Sequence, residues 1–326
     1  MLGLLDHPSG HKAHKAPTPV VGGIAIVLVL FAFALMTDGA AISPWLYGGV
    51  AASALLGLVD DVRPLGAKTK LALMLVIFSV TLKGSGTMLV SLGELWPGVT
   101  AYLGVLSIPF TLFAAVGVIN AFNLIDGMDG LAGTVALCAL SGYLLIAHLA
   151  GASAWVPFLV VIIAATAAFL AFNLRLPGRA PARLFMGDAG SLVLGLILFW
   201  LAVDLSQGPA GVEAIVMVWL LALPMLDTVA TILLRLREGK SPLSPGHDHF
   251  HHLLTAYGAS VGGITLLAGL LTVGFGMTGI LMWLSGVPEW LSMSLFLVVT
   301  AAYLKLHLGA WSKLGRGQRL RGQAEP

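Results

Sequence analysis

Apolar residues run through this chain in long blocks, and polar residues are confined to the short intervals between them. Ten such blocks occupy 20–38, 42–59, 68–83, 100–119, 131–149, 154–173, 190–206, 212–234, 261–284 and 288–306. A helix needs about 17–25 apolar residues to cross the hydrocarbon of a bilayer. The pattern therefore predicts an all-α polytopic membrane protein with about ten transmembrane helices in a single domain, 1–326. Most blocks end at Gly, Pro, Asn or a charged residue, as helix ends do. Residues 84–99 are Gly-rich and alternate weakly, a pattern that a short hairpin would satisfy.

Composition agrees with the pattern. Apolar residues make up 58% of the 326 positions and charged residues only 10%, and the mean hydropathy is +0.96. A soluble domain carries about 25% charge. The single cysteine, Cys138, lies within a block, so the chain holds no disulfide framework and Cys138 reads as packing.

Charge placement predicts orientation. An even number of spans puts both termini on one side. If that side is cytoplasmic, 16 of the 17 Lys and Arg residues fall inside and only Lys83 falls outside. Positive charge collects on the cytoplasmic side of membrane proteins. Residues 1–19 then form a cytoplasmic loop with no secretory signal, and 307–326 a basic cytoplasmic tail that reads as an anchor on anionic lipid. The same orientation places Asp60, Asp61, Asp126, Asp129, Asp188, Glu238 and the histidine run 247–252 on the cytoplasmic face.

Charged groups beside hydrocarbon are costly and by default mark function. Asn120-Ala-Phe-Asn-Leu-Ile-Asp-Gly-Met-Asp-Gly-Leu131 places Asn120, Asn123, Asp126 and Asp129 at one span end, and a helix cap explains only one of the four. Asp60 and Asp61 sit at a helix C-terminus, against its dipole, where a cationic partner would relieve them. Phe185-Met-Gly-Asp-Ala-Gly-Ser191 offers Asp188, which reads equally well as an N-cap. His11 to Gly23 carries Lys12, Lys15 and a Gly-Gly pair, and on composition reads as a basic loop before a helix. His247, His249, His251 and His252 could bind zinc. With no cysteine near and Arg235, Arg237 and Lys240 close by, the run reads instead as an anion-binding loop. Asp227, inside a block, either lines a polar cavity or pairs with a neighbour. Acids, amides and glycines together point to a divalent cation holding a phosphate. The competing class is a transporter for an anionic solute, against which stands the crowding of the acids at span ends. A binding protein without turnover is a third.

Five segments resemble, in order, those of the polyprenyl-phosphate N-acetylhexosamine-1-phosphate transferases. They are His14-Lys-Ala-Pro-Thr-Pro-Val-Val-Gly-Gly23, Gly57-Leu-Val-Asp-Asp61, Asn120 to Gly133, Phe185 to Ser191, and Ser241 to His252. The His-x-His-x-His-His form looks like the WecA/TagO branch more than the MraY branch, whose phospho-N-acetylmuramoyl-pentapeptide transfer is the alternative activity. The WecA-like branch normally carries a further span before the first motif, so the resemblance implies a shortened form or a start upstream.

The resemblance implies that a UDP-N-acetylhexosamine, most simply UDP-GlcNAc, gives its sugar-1-phosphate to undecaprenyl phosphate and releases UMP. It implies Mg2+, replaceable by Mn2+, at Asn123 and Asp188. Lys15 and Lys70 would lie near the diphosphate or uridine, with Asn120 on the substrate side. Asp126 and Asp129 would line the nucleotide, and Asp60 and Asp61 would do base or metal work. His249, His251 and His252 would cover the substrate phosphates. The expected setting is a bacterial inner membrane, with the lipid and the sugar nucleotide as partners, no nucleic acid, and room for a homodimer. A phosphate monoester has a second pKa near 6, so the lipid phosphate is already dianionic at neutral pH. Asp60 or Asp61 is therefore as readily an orienting group as a base.

Overall fold

The computed structural model describes residues 4–6, 17–37, 42–175, 181–244 and 246–322, the last seven by backbone alone. Lys12, Lys15, His11 and His14 lie outside the described residues. The described residues form twelve α-helices: α1 (Gly22–Met36), α2 (Pro44–Val62), α3 (Ala67–Ser85), α4 (Ser107–Ile125), α5 (Leu131–Leu149), α6 (Val156–Asn173), α7 (Gly187–Gln207), α8 (Ala214–Leu220), α9 (Ala222–Arg237), α10 (Phe250–Ala256), α11 (Val261–Leu284) and α12 (Glu289–Gly322). Two small antiparallel pairs accompany them, β1 (Leu5–Asp6) with β2 (Thr18–Pro19), and β3 (Ser91–Trp96) with β4 (Val99–Tyr102).

Each of the ten apolar blocks contains helix. Among the described residues, seven helices are long and apolar enough to cross a membrane, and α8 with α9 makes an eighth if the bent pair is one span. Two blocks differ for physical reasons. Helix α1 has 15 residues, about 22 Å, against roughly 30 Å of hydrocarbon. Helix α3 carries Lys68, Lys70 and Lys83. The 212–234 block is broken by 75° between Leu220 and Ala222. Pro224 lies in the first turn of α9 and has no N–H for the carbonyl of residue 220, so the helix cannot run through. The block starting at 100 opens as strand β4, and α4 begins only at Ser107. The basic tail continues α12 as helix.

Helix α7 is the axis of the molecule. Sixteen of its residues are buried, and α1, α2, α4, α5 and α8 pack around it. Lipid is as apolar as Leu, so helix contacts in a membrane depend on close fit and small residues. That requirement shows at the first turn of α7. A Cβ on Gly23 of α1 would overlap the backbone of Gly190, and one on Gly57 of α2 the backbone of Ala189. The strand before α1 is stitched to the same turn. Phe185 N–H donates to the Pro19 carbonyl at 2.8 Å, Gly22 N–H to the Phe185 carbonyl at 2.9 Å, and Gly23 N–H to the Met186 carbonyl at 2.9 Å. Buried Thr111, Thr166 and Thr272 turn their hydroxyls back onto carbonyls four residues earlier, leaving no donor facing hydrocarbon.

Candidate functional site

At the N-terminal end of α7 four side chains from four helices meet. The Lys70 ammonium lies 2.8 Å from Asp60 Oδ2, 2.6 Å from Asp188 Oδ2 and 3.1 Å from Asn123 Oδ1. Asn123 Nδ2 donates to Asp188 Oδ1 at 2.7 Å and to Ser191 Oγ at 2.8 Å. Three oxygens thus surround one cationic nitrogen, which stands where another cation could be held. Asp60 also accepts the Leu65 N–H at 2.5 Å, which fixes the turn between α2 and α3.

Adjacent Asp61 points elsewhere. Its two oxygens accept the N–H groups of Asp188 and Ala189 at 3.0 and 3.4 Å. It caps α7 from a neighbouring helix, where the positive end of the dipole meets its charge. Gly187, at φ +73°, makes the entry turn, and a Cβ there would strike the Asp61 carboxylate and Val20. Both acids at the C-terminus of α2 have therefore found positive partners, one a lysine and the other a helix end.

Asp126 follows α4 as its C-cap. Among the described residues its carboxyl takes part in no hydrogen bond or ion pair. Burial, then the charges of Asp188, Asp61 and Asp129, push its pKa up to about 8. Asp129 braces the fold, with Oδ2 accepting the Ala182 N–H at 3.2 Å and its carbonyl accepting the Thr265 hydroxyl at 3.2 Å. The next turn is clamped by Asn173, which accepts the Gly130 N–H at 2.7 Å and donates to the Leu184 carbonyl at 2.8 Å. Among the described residues, no group of three or more His, Cys, Asp or Glu side chains converges as a metal centre.

The histidine run forms a second cluster facing the first. Asp227, only 1% exposed, binds His249 Nδ1 through Oδ2 at 2.9 Å and accepts the Phe250 N–H on Oδ1 at 2.6 Å. This pairs Asp227 with a neighbour, the second of the two sequence readings. Thr231 Oγ1 lies 3.3 Å from the same Nδ1, and Tyr303 donates to Asp227 Oδ1 at 3.5 Å. Arg235, which also lines the cleft, braces the loop by binding Asp248 Oδ2 at 3.1 Å and the Pro242 carbonyl at 2.9 Å. His307 Nε2 lies 3.1 Å from the Asp248 carbonyl. Lys240 pairs with Glu238 at the surface. His247 Nδ1 and His252 Nε2 are 3.0 Å apart. His251, also 1% exposed, has no partner for either ring nitrogen among the described residues. Burial, then His252, depresses its pKa to about 3, and burial, then His247, takes His252 to about 4. A Cβ on Gly127 would strike His251 Nε2, so the loop after α4 and the histidine loop touch.

Both clusters open on one cleft of about 1680 Å³. Asp60, Lys70, Asn120, Asn123 and the histidines line its polar end, and leucines, phenylalanines and methionines line the remainder. Ordinary small-ligand pockets hold about 300–1,000 Å³. No local pattern marks Thr231, Tyr303 or His307 as partners of the histidine loop, since all three reach it from other helices.

The fold and the site define a helical membrane protein that gathers carboxylates, a lysine and imidazoles at the polar end of a long apolar cleft. Residues 43–206 match the model of the family described as glycosyl transferase family 4, and the chain belongs to that family of transferases. It is similar to the undecaprenyl-phosphate alpha-N-acetylglucosaminyl 1-phosphate transferase of Salmonella typhimurium, 34% identical over 338 residues, covering 99% of this chain and 90% of that protein. The protein of the same name from Yersinia pestis is 32% identical over 316 residues, covering 95% and 86%. A probable undecaprenyl-phosphate N-acetylglucosaminyl 1-phosphate transferase of Bacillus subtilis is 32% identical over 310 residues, covering 91% and 82%.

Proposed function

We propose that the chain transfers GlcNAc-1-phosphate from UDP-GlcNAc to undecaprenyl phosphate and releases UMP. The observation that carries this reading is the Lys70, Asp60, Asn123 and Asp188 cluster at the polar mouth of an apolar cleft. A substrate with a phosphate head and a long hydrocarbon tail matches both halves. An oxygen of the lipid phosphate attacks the sugar-bearing phosphorus of UDP-GlcNAc. The new P–O bond completes a lipid diphosphate, the bridging P–O bond breaks, and UMP leaves with that oxygen. The acceptor attacks as its dianion, so no side chain need remove a proton.

Phosphoryl transfer depends on positioning and on offsetting charge. Lys70 is placed to bind a phosphate oxygen once the anions enter, leaving Asp188 and Asn123 to another cation. The residues fit Mg2+, or Mn2+. Oxygen donors converge there, and the unpartnered Asp126, surrounded by negative charge, is relieved by any added positive charge. Asn123 and Asp188 would hold the metal, which would offset the negative charge of the diphosphate. Asp60 orients Lys70, and Asp61 holds the first turn of α7 so that Asp188 faces the cleft. His249, oriented by Asp227, and its neighbours His251 and His252 contact the phosphates from the opposite wall, while Asn120, Asp126 and Asp129 lie on the nucleotide side. The bias of 16 inside Lys and Arg against one supports a site facing the cytoplasm in a bacterial plasma membrane.

Purified protein with undecaprenyl phosphate, Mg2+ and a panel of UDP-sugars should release UMP fastest with UDP-GlcNAc. No UMP with any UDP-N-acetylhexosamine would overturn the reading and leave the transporter or binding-protein classes.

A further inference from the structure

The cleft extends as far as the β3–β4 hairpin. Its lining includes Leu89, Leu92 and Leu95, at and just before strand β3. Gln207, at the last turn of α7, touches the same hairpin, while Asp188 begins that helix at the polar cluster. The intervening helix is about 28 Å long at 1.5 Å per residue, close to the thickness of bilayer hydrocarbon. The apolar cleft therefore reaches from the polar cluster to the β3–β4 hairpin, passing the second half of α7 at Phe199, Ala202, Val203 and Ser206.

The hairpin is built as a fixed wall. Gln207 Oε1 accepts the N–H groups of Val90 and Ser91 at 3.1 and 3.0 Å, and its Nε2 donates to the Ser91 carbonyl at 3.2 Å. Leu89 N–H donates to Thr111 Oγ1 at 2.9 Å. Glu289, at the start of α12, accepts the Glu94 N–H at 2.8 Å. Three helices thus hold one short strand. The strand is also irregular. Its pairing with β4 shifts register between Ser91 and Glu94 and again before Trp96, and Gly93 sits at φ +84°. In a regular strand Leu92 and Leu95 would face opposite sides. A bulge re-aims side chains, and here both leucines reach the cleft. A side chain at Gly93 would be strained at that φ and would collide with Glu289.

We infer that the β3–β4 hairpin is the end wall for the acceptor's tail, and that Leu92 and Leu95 select long polyprenyl chains over short ones. This rests on the acceptor being a polyprenyl phosphate. A farnesyl tail, about 12 main-chain carbons at roughly 1.2 Å each, spans only about half the cleft and never meets the wall. An undecaprenyl tail, about 44 main-chain carbons or roughly 53 Å, is longer than the cleft, so its middle isoprenes press on the wall and the remainder turns away.

The test compares undecaprenyl phosphate with farnesyl phosphate as acceptors for wild type, Leu92→Trp and Leu95→Trp. The tryptophans should raise KM for the long acceptor about tenfold and leave KM for farnesyl phosphate and UDP-GlcNAc unchanged. Equal changes for both acceptors, or none, overturn the inference. Because a tryptophan could disturb the hairpin, wild-type protein is also photolysed with an undecaprenyl phosphate carrying a diazirine on the sixth isoprene from the phosphate, about 29 Å along the tail. Crosslinks within 89–95 support the wall, and crosslinks confined to other segments overturn it. If the wild type turns over neither acceptor, the transfer reading fails, and the crosslink still decides whether the tail meets the hairpin.

Discussion

The two walls of the polar mouth solve opposite problems. On the α2, α3, α4 and α7 side, every charge of the central cluster has a partner inside the protein, with Lys70 filling a cage of Asp60, Asn123 and Asp188 oxygens. On the histidine side, the loop is anchored through Asp227 and Arg235, and among the described residues neither nitrogen of His251 is used. The first wall is satisfied without substrate and must exchange partners to bind one. The second holds neutral donors and acceptors ready and exchanges little. Cation and anion handling are thus divided between two walls, whose loops touch where Gly127 meets His251.

The largest effect should come from emptying the cage. Asp188→Asn and Asn123→Ala are each expected to lower turnover about 10²–10³-fold with melting close to wild type. Asp61→Asn should behave differently, lowering the melting temperature through the weakened cap on α7, a loss of about 0.5–2 kcal/mol. Turnover and thermal melting measured on all three variants check this. Near-wild-type turnover in well-folded Asp188→Asn protein would remove the cage from the mechanism.

On the opposite wall the effect should be smaller and confined to orientation. Asp227→Asn is expected to reduce kcat about 10–100-fold with little change in the KM for UDP-GlcNAc. Adding His249→Ala to that variant should cost little more, because the two act as one unit. Fully additive losses in the double mutant would separate them. Where the walls touch, Gly127→Ala should push the His251 ring aside and slow turnover by about tenfold. A wild-type rate would mean that the two loops need not meet.

Much of this arrangement was legible because burying charge beside hydrocarbon leaves a strong mark in a sequence. The ten apolar blocks located every long helix, and the acids at 60, 61, 126 and 188 stood out at their ends. Partnership was not legible. Asp60 and Asp61 are neighbours of identical type, yet one holds a lysine and the other caps a helix 127 residues away. Asp129 stood beside Asp126 as an equal, but it braces a loop. The break before α9 did leave a sign in Pro224, whereas the bulge that turns Leu92 and Leu95 to one side is marked only by Gly93. Tyr303 and His307 reach the histidine loop from α12, and no local pattern announces a contact across that separation.

The smallest expected effect is on pH dependence, and it belongs to the histidine wall alone. An unfolded histidine titrates near 6.5, whereas burial holds His251 at about 3 and His252 at about 4. Folded values below the unfolded value mean that the unfolded chain binds more protons between these limits. The stability contributed by burying neutral imidazoles is thus complete above about pH 6.5 and is lost as pH falls toward about 4 and then 3. Melting in detergent at pH 7.5 and pH 5 reads this directly. Wild-type protein should lose more stability on acidification than His251→Phe, which keeps a planar ring but cannot take up a proton. Equal losses would mean that His251 is not what ties the loop's packing to pH, and that acid acts on the caged carboxylates of the opposite wall.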